Sequence, residues 1–174
     1  RDPLKLAIHW YVHSNECAGG IEGSLVLTQT AFELLAWTYL VEHTGIFTRQ
    51  SWDRLPGTST RIERLLSELG IPIGLPATHC PNLYAWAQST NTGSSGPKAL
   101  VKIRNAIVHP DAKNLRKALA VPSLAKAEAW QLALMYLEAV ILSILEYDGP
   151  VYSRIRHDSP DDVRVDKPWL PGSE

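Results

Sequence analysis

The segment Lys102-Ile103-Arg104-Asn105-Ala106-Ile107-Val108-His109-Pro110 places three side chains with complementary chemistry along one short stretch. Arg104 is a permanent cation, Asn105 an orientable amide, and His109 an imidazole of the kind that titrates near neutrality. Pro97 opens a helix here and His109-Pro110 closes it. On a helical wheel at about 100° per residue, Leu100, Val101, Ile103, Ile107 and Val108 form one apolar arc with Arg104 in its middle. Asn105 and His109, four residues apart, share the arc's flank. An unpaired guanidinium in an apolar setting costs several kcal/mol, so Arg104 must meet a carboxylate, an anion or an opening to solvent. A helix C-terminus favours the cationic form of His109. The set suits a phosphodiester: the guanidinium neutralises the non-bridging oxygens and the imidazole moves protons.

Two further groups belong with this constellation. Lys98, Lys102, Arg104, Lys113, Arg116 and Lys117 outweigh the lone acid Asp111 between Lys98 and Lys117, a local excess where a chain of near-neutral charge could hold nucleic-acid phosphates such as those of RNA. The reading without RNA is a solvated basic face. Glu33 lies in line with Val26, Trp37 and Leu40 on its own helix, so it is expected to pair with Arg104 and hold it in place. No metal is expected. His9, His13 and Cys17 are spaced four apart on the first helix, but the outer two lie about 12 Å apart along the axis, and neither C-x-x-C nor H-E-x-x-H occurs. Gly93-Ser-Ser-Gly96-Pro97-Lys98 misses the phosphate-loop spacing and follows no strand.

The elements that must position these residues read as helices. Asp2 and Pro3 supply an N-cap and first-turn proline for a helix to about Cys17, closed by Gly19-Gly20. A second helix, about Glu22 to His43, is apolar on most sides and so belongs at the centre of a bundle. Ile46 to Thr60 is a connector. Thr58 or Ser59 then caps a helix from Arg61 to Leu69, and Asn82 to Gln88 makes a turn or two. Ser89 to Gly96 is a flexible loop by composition. A short basic helix follows at about Ala112 to Ala120, then a long final helix from Leu124 to Tyr147. Strand alternation and internal repeats do not appear. The expectation is an all-α bundle of two long antiparallel helices with the shorter motif helix against them. Residues 1–152 form that domain and residues 153–174 an extended C-terminal arm.

Composition excludes several classes. The 174 residues are 45% hydrophobic and 20% charged, ordinary values for a globular chain, with a net charge of −1. An overall basic surface is therefore excluded, and any nucleic-acid binding must use a local patch. Two cysteines, Cys17 and Cys80, do not make a disulfide framework and suit a reduced, cytoplasmic setting. The apolar run from Ala129 to Leu145 is interrupted by Gln131 and Glu138 and falls short of a membrane span, so a buried helix and no membrane partner are expected.

Arg104-Asn105-Ala-Ile-Val-His109 matches the R-N-x-x-x-H motif of the HEPN superfamily, and its surroundings resemble the C-terminal domain of ApeA-like antiphage proteins. The stretch Gly20 to Leu35 and the ending Leu145 to Tyr152 are similar to the same group, so the resemblance covers roughly Leu4 to Tyr152. It implies a HEPN-like helical bundle, preceded in the full protein by an N-terminal domain. It implies a metal-independent endoribonuclease without cofactors, a toxin of abortive infection in antiviral defence. Arg104 would bind the scissile phosphate, His109 would act as general acid or base for 2′-OH attack, and Asn105 would orient one of them. The products would be a 2′,3′-cyclic phosphate and a 5′-OH. One motif per chain implies a homodimer with a composite site. The rival expectation is a non-catalytic HEPN module that binds a partner protein or a nucleotide.

Overall fold

The computed structural model describes residues 2–108, 116–117, 119–155 and 164–165. Helix α1 spans Pro3–Asn15, with Asp2 Oδ1 accepting from the Leu4 amide at 3.0 Å as the N-cap. Cys17 and Gly20 both take positive φ (53° and 70°) and turn the chain into α2, Gly20–Trp37. Thr38–His43 then continues as a π-helical turn, in which the Thr44 amide donates to Tyr39 O at 2.9 Å. The short helix α3, Arg49–Asp53, lies inside the expected connector, with Thr48 as its cap. Helix α4 runs Gly57–Glu68, a turn earlier than its sequence signals suggested, because Gly57 at φ 77° starts it directly after Pro56. Helices α5, Pro81–Ser89, and α6, Gly96–Val108, follow, and α7 spans Ser123–Ile144. The fold is all-α. One two-residue ladder pairs β1, Val151–Tyr152, antiparallel to β2, Arg164–Val165.

The long elements, α2 with its π turn and α7, supply most of the core. Leu25, Phe32, Leu35 and Leu40 on the first meet a core shared with Leu132, Tyr136, Leu137 and Val140 on the second. Ala125, Ala129 and Ala133 are buried at four-residue spacing on α7, a small-residue face that lets a neighbour approach closely. Both elements are long and apolar enough to cross a bilayer by length and composition alone, and half of each apolar window is buried within the bundle.

These two elements run parallel, which corrects the expected antiparallel arrangement. Near their starts, Lys126 Nζ lies 2.9 Å from Glu22 Oε1. Near their ends, Thr38, Tyr39 and His43 share one cavity with Ser143 and Ile144. Antiparallel pairing follows from a short loop. Here α3 to α6 intervene, so the chain has ample length to return to the starting end. The antiparallel partner of α2 is α1: Ser14 Oγ, near the end of α1, donates to Ser24 O near the start of α2 at 3.0 Å.

Two cross-chain contacts place the shorter helices. Glu128 on α7 accepts from Asn82 Nδ2 at 2.5 Å and from the Leu83 amide at 2.7 Å, and so caps α5, whose own Cys80 makes no side-chain cap. Burial, with the Glu128 charge nearby, pushes the Cys80 thiol up to about 12. Helix α6 is seated at its first turn. The Gly96 amide donates to Ile73 O at 2.9 Å, and Ser95 Oγ accepts from the Lys98 amide at 3.2 Å while donating to Glu63 on α4 at 2.6 Å. Tyr136 packs so closely against Gly96 that a Cβ there would fall 2.5 Å from its hydroxyl, which donates to Gly74 O at 3.3 Å.

The described part of the arm is anchored. Arg154 donates to Glu138 Oε2 at 2.7 Å, Asn15 Oδ1 at 2.9 Å and the Tyr11 hydroxyl at 2.6 Å, tying the arm to α7 and α1. Burial, and after it the Glu138 carboxylate, pushes the Tyr11 phenol up.

Substituting Gly96→Ala should overpack the start of α6. The expected loss is about 1–3 kcal/mol, read as a lower urea midpoint at unchanged slope.

Candidate functional site

Helix α6 buries Ala99, Leu100, Val101, Ile103 and Ala106. Its buried face is therefore centred nearer Ala99, Ile103 and Ala106 than Arg104. Alanines weigh little in a count of apolar residues, which is why the wheel put Arg104 in the middle. In the structure Arg104 is half-buried at the margin of that face. Its Nε is sealed from solvent and has no hydrogen-bond partner among the described residues. Its terminal nitrogen donates to Asn105 Oδ1 at 3.3 Å, and among the described residues no carboxylate lies within ion-pair distance of the guanidinium. With the Asn105 carbonyl oxygen engaged by Arg104, the amide NH2 is left as the donor this side chain offers to a ligand.

Asn105 lines a groove of about 320 Å³ with Lys98, Lys102 and Lys117 from the basic stretch and Ser59 from the first turn of α4. Three of the expected phosphate-binding lysines and one motif residue are thus brought to one surface. Lys98 lies 3.9 Å from Glu63 Oε1, a long contact on a half-exposed side chain and weak for that reason. Lys102 has a second job. Its ammonium donates to Thr90 O at 2.5 Å and Thr92 Oγ1 at 2.9 Å and sits 5.8 Å from the Trp86 ring centroid, fastening the loop after α5 to α6. Arg116 is exposed on a helical segment. His109 and Lys113 lie outside the described residues.

The expected Glu33–Arg104 pair does not form. Glu33 Oε1 instead accepts from Gln29 Nε2 at 2.8 Å and from Thr58 Oγ1 at 3.2 Å. Thr58 is in the first turn of α4, where backbone amides without helical partners favour a carboxylate. The helix terminus thus takes the role assigned to the guanidinium. Ser59 and Glu63 were missed as site neighbours. The signal available was the position of Ser59 in the first turn of a helix, which places its hydroxyl among unpaired amides. On α1, His13 Nδ1 contacts Glu16 Oε2 at 3.1 Å, and the His9 and His13 rings meet edge to face at 4.3 Å.

Fold and site together define an all-α domain with a lysine-lined groove that includes Asn105, while the half-buried Arg104 is not among the groove's lining residues. The chain belongs to the YopA C-terminal domain family, whose sequence profile matches residues 1–164. It is 26% identical over 164 residues to the SPbeta prophage-derived uncharacterized protein YopA of Bacillus subtilis (strain 168), across 93% of this chain and 34% of that protein. The chain therefore spans about a third of the length of this curated relative. No solved structure matches it.

Replacing Glu33 by Ala should act on stability. It leaves the buried Gln29 amide without its acceptor and α4 without its carboxylate. The expected cost is about 1–3 kcal/mol, read by urea unfolding.

Proposed function

We propose that this chain is a metal-independent endoribonuclease domain of HEPN type that acts as a toxin in defence against phage. The observation that carries the reading is Arg104, a half-buried cation whose sealed Nε has no hydrogen-bond partner among the described residues, next in the chain to Asn105, which lines a groove with three lysines. A cation so placed is stabilised by an anion, and a phosphodiester supplies one whose two non-bridging oxygens can accept together from a planar guanidinium. A prophage-derived relative supports the phage setting.

In this mechanism Arg104 neutralises the non-bridging oxygens of the scissile phosphate, and the Asn105 NH2 donates to the same group or to the imidazole. His109 takes the proton of the neighbouring 2′-OH or returns one to the 5′-oxygen. The 2′-oxygen bonds to phosphorus as the bond to the 5′-oxygen breaks. A 2′,3′-cyclic phosphate and a 5′-OH result. The nucleophile belongs to the substrate, so the chain needs only to place charge and move protons. Lys98, Lys102 and Lys117, with Arg116 and Lys113, hold flanking phosphates, and the substrate is cytoplasmic RNA.

We also propose that the active form is a homodimer with both motif helices lining one cleft. Leu119 and Leu124 are 73% and 64% exposed and follow Lys117 closely in the chain. An apolar pair beside a basic groove suits burial against a second copy of the same patch.

Incubation with RNA in EDTA should give cyclic-phosphate ends. Arg104→Ala and His109→Ala should each lower the rate about 100-fold or more with unchanged circular dichroism. Full activity in both variants removes these residues from the mechanism, and RNA binding without cleavage returns the non-catalytic reading. Light scattering at low micromolar concentration should show a dimer, which Leu119→Asp with Leu124→Asp should convert to inactive monomer. A monomer that cleaves RNA refutes the composite site.

A further inference from the structure

Helix α5 brings an aromatic ring to the lysine groove. Lys102, which lines the groove, holds its ammonium 5.8 Å from the centroid of the Trp86 ring. Two of the ammonium's N–H donors go to Thr90 O and Thr92 Oγ1. An ammonium has a third, and that one is left for an anion in the groove. Trp86 is fixed before any ligand arrives. Its ring is partly buried against the core. Glu128 holds the start of α5, and after the helix Thr90 Oγ1 donates back to Trp86 O at 2.9 Å. A ligand that meets this ring does not have to order it first.

The indole N–H shows that the ring is open at one edge. Trp37 Nε1 donates to Glu42 Oε1 at 2.8 Å and Trp130 Nε1 to Ser14 O at 3.1 Å, as indoles packed in a protein usually do. Trp86 Nε1 donates to no group among the described residues, and it is not sealed from solvent. Trp86 is therefore anchored by the core on one part, wet on another, and flanked by a cation of the groove. Aromatic rings beside a cationic track are how proteins take up unpaired nucleic-acid strands: the cations follow the phosphates and the bases stack on the rings.

We propose that Trp86 stacks a nucleobase at the edge of the lysine groove, so that the groove takes an unpaired RNA strand. This rests on the reading of the groove as the RNA site. One sugar separates a phosphate from its base, so a phosphate on the free N–H of Lys102 brings a base to the neighbouring ring. Stacking accepts every base, since each has a π face, and Trp86 therefore selects for an unpaired strand rather than for a sequence. In an RNA duplex the bases are stacked on one another, and the deep, narrow major groove keeps side chains from them.

The test measures binding apart from cleavage, by fluorescence anisotropy on the whole chain. The probes are a labelled 2′-O-methyl dodecamer, which lacks the attacking hydroxyl, the same backbone with abasic sites, and the dodecamer paired with its complement. Trp86→Leu should weaken the single strand about tenfold and leave the abasic strand and the duplex unchanged. Trp86→Phe, which keeps a ring, should retain most of the affinity. The unaltered chain gives a second measurement that needs no variant to fold: a dodecamer carrying 5-iodouridine should cross-link to Trp86 on irradiation. Equal weakening of the base-bearing and abasic strands by Trp86→Leu overturns the proposal, because Trp86 then only supports Lys102. No weakening, or cross-links confined to other residues, overturns it as well. Lys98→Glu should weaken all three probes. If it weakens none, the groove is not the RNA site and the proposal falls with that reading. The expected binding without cleavage of ordinary RNA upholds the stacking role and removes the nuclease reading alone.

Discussion

The close approach of Tyr136 to Gly96 sets where the motif helix starts and which way it faces. Tyr136 is fixed at one edge by its hydroxyl on Gly74 O and at the other by the first turn of α6. Any side chain at position 96 would push the two apart. The neighbouring bonds from Gly96 to Ile73 and from Ser95 to Glu63 then fix the helix about its axis. A helix held at its first turn carries that orientation along its length, so Arg104 and Asn105, two turns on, inherit their placement from a contact more than ten ångströms away. The buried tyrosine also prefers its neutral form, since burial pushes its phenol up.

A chain of net charge −1 concentrates positive potential by local arrangement. Lys98, Lys102 and Asn105 come from successive turns of one helix, and Lys117 returns to them from beyond it. The acids nearby are occupied. Glu63 accepts from Ser95, and Glu33 accepts from Gln29 and Thr58. Engaging carboxylates in caps and helix starts leaves the groove with a net positive lining, and low-dielectric walls focus that field.

The parallel pairing of α2 and α7 aligns the dipoles of the two longest elements, with α1 running against them. Two helix starts lie at one end, where Lys126 bridges to Glu22 and the hydrogen bond from that lysine holds the Glu22 carboxyl below the usual carboxylate range. Two helix ends lie at the other, beside Asp2 and Glu146. In an antiparallel pair these partial charges would cancel. The same chain therefore presents a basic groove on one helix while its two longest elements finish together at one end of the bundle.

Much of the architecture was legible in local chemistry. Asp2-Pro3 marked the start of α1, Pro97 fell in the first turn of α6, and the apolar run of α7 announced a buried helix, because caps, prolines and periodicity act within a turn or two of the chain. Lys98 and Lys102 were legible for the same reason, since i and i+4 on one helix must be neighbours, whereas the return of Lys117 to them was not. What the sequence could not supply was anything decided between elements. The direction of α7 against α2 depends on how a long intervening chain folds back. The partner of Glu33 depends on which helix start reaches it first. The anchoring of Arg154 by Tyr11, Asn15 and Glu138 joins residues more than a hundred positions apart for two of its three contacts. Local preference is set by a residue's own backbone and near neighbours, whereas the counter-charge of a half-buried group is set by three-dimensional packing, and only the tertiary structure decides it.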